Sequence, residues 1–122
     1  MERIETSARL APIEQAGLAV ATLVEGLSQD ELLRSRLTRA EVLRQLRTLI
    51  ASAAGVTPAA REAMPEVDWN GWAALGHQLA QPAGDALDEA LWFACSALVP
   101  ATLLWLRVYR QGQPALFRMG PD

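Results

Sequence analysis

A chain of 122 residues with eleven basic and fourteen acidic side chains has a net charge of −3, and 51% of it is hydrophobic against 20% charged. Such a chain is one domain with enough apolar surface for a core, which excludes a disordered tail. A pI near 5.1 also excludes coating of nucleic acid through bulk positive charge.

All eleven basic residues are arginine, a usage read first as genome bias. The lone Cys95 lies in Trp92-Phe93-Ala94-Cys95, so a disulfide framework or a cysteine-based metal site within one chain is ruled out. Cytoplasmic location is the expectation, because no opening segment resembles a signal peptide. No membrane span is expected either, since the run Ala97 to Leu106 falls short of the ~20 apolar residues required.

Strand alternation is missing, and alanine and leucine recur at three- and four-residue spacing, which predicts an all-α fold without a β-sheet. Leu10, Ile13, Gly17, Val20, Val24 and Leu27 mark the first helix. Pro12 predicts either a kink or a start near Ala11 with the proline in the first turn. Ser28-Gln29-Asp30-Glu31 is a capping box opening a short helix to about Ser35, and Thr38-Arg39-Ala40-Glu41 is a second one opening a longer helix. That helix carries Val42, Leu43, Leu46, Leu49, Ile50 and Ala53 and is expected to stop at a left-handed Gly55. Thr57-Pro58 starts a brief helix ending before Pro65. Asp68 caps a helix with Trp69, Trp72, Leu75 and Leu79 that ends at Pro82. Asp85 is the expected cap of the last helix, Ala86 to about Arg110, bent at Pro100 and more apolar than one buried face requires. Residues 1–110 thus form the helical domain, and 111–122 an irregular tail.

Pro65-Glu66-Val67-Asp68-Trp69 resembles the Pro-Glu-Ile-Pro-Trp stretch of HepT-like proteins of the HEPN superfamily. Trp92 and Leu98-Val99-Pro100 follow at that family's distances, and Glu25-Gly26-Leu27-Ser28 and Val42-Leu43-Arg44-Gln45-Leu46 match upstream. The resemblance covers about Ala11 to Arg110. It implies a four- to five-helix up-and-down bundle that dimerises through its last helices. In active relatives it further implies a metal-independent RNase with an Arg-x4-His-x-Tyr motif, commonly paired with a minimal nucleotidyltransferase in a toxin–antitoxin-like system.

In that register the motif arginine is Gly76, the asparagine His77, the histidine Gln81 and the tyrosine Ala83. Glycine brings no charge to a phosphate, glutamine exchanges no proton near neutrality, and alanine accepts no nucleotidyl group. The expectation is therefore a non-catalytic, homodimeric interaction module, a pseudoenzyme that retains the framework and a nucleotidyltransferase as candidate partner. The emptied cleft is expected to be narrow, dry and packed from the last helix.

The alternative is an RNase using the displaced His77 or residues of the dimer mate. Asp85, Asp88 and Glu89 read as acidic residues favourably placed at a helix start rather than a metal site, and neither a metal nor a cofactor is called for. Arg36, Arg39, Arg44 and Arg47 are a candidate RNA or partner patch against the plainer reading of a solvated helix face. Trp69 and Trp92 are assigned to the core, with Trp72 or Trp105 available to an interface.

Overall fold

The computed structural model describes residues 2–117, with side chains from Ser7 onward. Every regular element among them is helical, and no strand occurs among the described residues. The helices are α1 (Glu2–Val24), α2 (Gln29–Arg34), α3 (Arg36–Ala54), α4 (Pro58–Ala63), α5 (Trp69–Leu79), α6 (Asp85–Phe93) and α7 (Val99–Gly112). A π-helical turn over Ala94–Leu98 joins α6 and α7 into one rod, and a 3₁₀ turn follows at Pro114–Phe117. Helix α1 packs on α3, α3 on α5, α5 on α6, and α7 returns to α1, closing a bundle of four long members.

Local chemistry sets most of the boundaries. Ser28 and Glu31 satisfy each other's backbone N–H groups at 3.2 and 2.9 Å, the reciprocal box expected there. The bond that the Glu31 carboxylate accepts from the Ser28 backbone also lowers its pKa. The second box is displaced. Helix α3 begins at Arg36, and its cap is Ser35, whose hydroxyl oxygen accepts from the Thr38 N–H. Thr38 is already inside the first turn.

Helix α3 does end at Gly55, but in a right-handed conformation, φ −89°. Carbonyls at and just after its end are served from outside: Arg61 donates Nη2 to Ala53 O at 3.0 Å and Nε to Val56 O, in the following turn, at 3.2 Å. With a cationic side chain completing the C-terminus, the left-handed turn is not needed. The left-handed glycine is instead Gly26, φ 77°, after α1.

Helix α1 starts about nine residues before the expected Ala11, leaving Pro12 in its interior. The turns before the proline have tertiary support: buried Ser7 donates to Leu116 O at 2.9 Å, and Leu10 is fully buried. Tertiary packing here outweighs the lost backbone bond. The tail begins to depart from an irregular extension at the same place. Its 3₁₀ turn lies on α1 and α7, and Arg110 stacks over Phe117 at 4.5 Å while pairing with Glu14. The remaining tail, 118–122, lies outside the described residues.

Asp85 is the first residue of α6 rather than its cap, and Gly84 occupies the cap position without a side-chain bond. Just before Pro100, at Ala94–Leu98, the chain forms a π-turn rather than a simple bend at the proline. Leu87, Leu91, Cys95, Val99, Thr102 and Leu106 are all buried. They return to the core five times in nineteen residues, about 3.8 residues per turn against the 3.6 of an α-helix. One extra residue must be absorbed, and the Val99 N–H does so by bonding Ala94 O, five residues back. The site suits Pro100, which has no N–H to give and whose ring crowds the carbonyl four residues before it.

The core is aliphatic, with Trp72 as its largest fully buried side chain. Trp72 donates its indole N–H to Thr102 Oγ1 at 2.9 Å, and Trp69 donates to Met64 O at 3.0 Å. Trp72 is thus core rather than interface, whereas Trp92 and Trp105 are half-buried. Gly17 permits close approach of α1 and α7: a Cβ there would lie 2.9 Å from Leu103 Cδ2.

Candidate functional site

Helix α5 carries the first of the candidate positions, Gly76 and His77. Leu75 and Leu79 anchor its inner face, which turns His77 outward. Gly76 lies half-buried toward α3, and a Cβ there would meet one neighbour, Ile50 Cγ2, at 3.2 Å. Helix α5 ends at Leu79, so Gln81 and Ala83 fall in the exposed turn before α6. Gln81 directs its amide N–H back to the carbonyl of His77 at 3.3 Å.

Gly76, His77 and Gln81 are therefore neighbours, but they do not form a phosphate-binding and proton-transferring set. A reacting phosphate needs a cation or several N–H donors beside its acid–base group, and Gly76, Gln81 and Ala83 supply neither a side-chain cation nor an acid–base group. Within the single chain no side chain of the last helix packs against Gly76. The small side chains stand on an open surface, and the groups that pack near Gly76 come from α3 rather than from the last helix. A small pocket of about 120 Å³, lined by Ile50, Ala53, Arg61, Trp69, Trp72 and Ala73, lies one turn away.

Two of the four arginines of the candidate patch are paired within the fold. Arg39 pairs with Asp88 and ties α3 to α6. Arg44 donates Nε to Glu41 at 2.9 Å, and this contact, with Gln45, lowers the Glu41 carboxyl pKa to about 2. Arg36 and Arg47 are exposed. Arg36 and Arg47 thus carry no partner charge among the described residues, and Asp88 serves as an ion-pair partner within the fold. No group of three potential metal ligands occurs among the described residues.

The last helix carries more apolar surface than the core takes up, as its composition predicts. Phe93 is 52% exposed, Leu104 47% and Val108 43%, and Ala97, Pro100 and Ala101 are exposed between them. Beside this stripe, α1 contributes Leu18, 58% exposed. A groove of about 420 Å³ runs between Leu18 and Ala21 on α1 and Pro100, Leu103, Leu104 and Arg107 on α7.

The continuous rod Asp85–Gly112 is 28 residues long, and by length and composition it could cross a membrane. Counting only the run from Ala97 to Leu106 underestimated it. Leu87, Leu91, Cys95, Leu98 and Leu106 are nevertheless in the bundle core. The chain matches no protein-family model, no curated protein and no solved structure.

Proposed function

We propose that this chain is a non-catalytic, homodimeric interaction module of the HepT-like kind, with a minimal nucleotidyltransferase as its candidate protein partner. The observation that carries the reading is a contrast between two surfaces. The segment in register with the RNase motif, at the end of α5 and in the turn after it, offers Gly76, His77, Gln81 and Ala83, none of them a fixed cation. The α6–α7 face offers Phe93, Leu104 and Val108 about half exposed, in a row with Ala97 and Pro100. A contiguous apolar stripe of this length supports an interaction surface over ordinary scatter. The nucleotidyltransferase rests on the resemblance of Pro65 to Trp69 and its register with Trp92 and Leu98 to Pro100.

The test combines light scattering with a cleavage assay on single-stranded and structured RNA in the presence of a chelator. A dimer without cleavage is the expected result. Cleavage that disappears in a folded His77→Ala variant would replace this reading with the RNase alternative.

A further inference from the structure

We infer that two copies pair antiparallel along the α6–α7 rod, with their two-fold axis near Ala97. This rests on the self-association proposed above and specifies its geometry, which the charge arrangement of the rod determines. Asp85 and Glu89, both exposed, are one helical turn apart at the N-terminal end. The middle carries Phe93, Ala97, Pro100, Ala101 and Leu104. Arg107 is exposed at the C-terminal end and makes no ion pair among the described residues, while neighbouring Arg110 is held by Glu14.

A parallel pair of rods would set Asp85 and Glu89 against the same two carboxylates of the partner. An antiparallel pair sets them against the partner's Arg107, and two-fold symmetry makes each such contact twice. Aligning Glu89 with the partner's Arg107 puts the midpoint at residue 98. That position falls in the apolar middle, beside the small side chains of Ala97 and Ala101, where helices approach closely. Opposed helix dipoles favour the same direction.

The area agrees. A 28-residue rod is ~42 Å long and ~10–12 Å wide, on the order of 450 Å² per copy. With Leu18 and Ala21 of α1 alongside, two copies reach the ~1,000 Å² that a specific interface needs.

The experiment places single cysteines on the exposed stripe of the full chain, as Ala97→Cys, Phe93→Cys and Val108→Cys, and applies a short thiol–thiol cross-linker. Buried Cys95 supplies the unmodified control. Ala97→Cys is expected to link to its own copy at least ~10-fold faster than the other two, and a mixture of Phe93→Cys with Val108→Cys to link across copies. Glu89→Arg or Arg107→Glu alone is expected to weaken the dimer about tenfold, and the combined swap to restore it.

Self-linking of Phe93→Cys or Val108→Cys at the rate of Ala97→Cys would overturn the antiparallel register while leaving self-association intact. A dimer that none of the three links would overturn the choice of face. Protection of these cysteines only on addition of phosphatidylcholine vesicles would assign the stripe to a bilayer and overturn the inference. A monomer at all concentrations would remove the self-association reading itself.

Discussion

The bond between the Trp72 indole and Thr102 is the most informative place to perturb this bundle, because it joins α5 to α7 with both partners out of water. Trp72 is 1% exposed and Thr102 3%, and their polar atoms are 2.9 Å apart. Thr102→Val keeps the shape of the side chain and removes only the acceptor, leaving a buried N–H without a partner. That costs ~1–3 kcal/mol, a large share of the ~5–15 kcal/mol that holds a domain together.

Trp72→Phe works differently. It removes the donor together with part of a large ring, and the freed Thr102 hydroxyl can turn to the Leu98 carbonyl one turn back. Its cost comes mainly from the cavity, ~2–4 kcal/mol. In that background Thr102→Val should therefore cost at least ~1 kcal/mol less than in the parent chain. Urea unfolding followed by far-ultraviolet circular dichroism, at one fixed protein concentration, measures the cycle through shifts in midpoint at constant slope. Equal costs of Thr102→Val in both backgrounds, or a cost under ~0.5 kcal/mol in the parent, would show that the bond does not connect the helices energetically.

Gly76→Arg should leave stability within ~1 kcal/mol of the parent, because the only close neighbour of the new Cβ is the side chain of Ile50 and the surface beyond is open; a melting temperature lower by more than ~8 °C would mean a packed cleft after all. The double change Gly76→Arg with Gln81→His should yield no RNA cleavage, measured with the same chelated assay. Burial raises the Cys95 thiol pKa to about 11. The unfolded thiol loses its proton near ~8.5, so the folded state retains a proton that the unfolded state has released. This contribution is complete below the unfolded value and is lost as pH climbs through the folded one. Stability should accordingly fall between roughly pH 8.5 and 11 in the parent and fall less in Cys95→Ala, as read from urea midpoints across that window.

Much of the helical layout is legible in the sequence because it depends on local chemistry. Ser28 with Glu31, Thr57 with Pro58, and Asp68 before Trp69 each satisfy a helix start with atoms a few residues away, and the boundaries fall where those residues stand. The failures have a common cause in distant partners. Ser35 and Thr38 are both competent caps, and the choice between them depends on how α2 meets α3. The end of α3 looked like a task for a left-handed Gly55, but Arg61 reaches back across the turn to the carbonyls of Ala53 and Val56. The early turns of α1 survive Pro12 through Ser7 and its bond to Leu116, more than a hundred residues away.

The π-turn is an intermediate case, since its signal was in the sequence but in the spacing rather than in a motif. Proline at 100 suggests a bend by itself. Apolar and small residues at 87, 91, 95, 99, 102 and 106 say more, because a strict α-helix would rotate the last of them about one residue off the core. Two remedies exist: burying a different face beyond the break, or inserting one residue and keeping the same face. The second leaves Leu104 and Val108 on the outer surface with Phe93 and Ala97, so the extra residue that keeps the core in register also keeps the outer stripe continuous. The candidate interaction surface and the backbone irregularity are therefore one feature, and a substitution that straightened Ala94–Leu98 would break the stripe as surely as it would unpack Leu106.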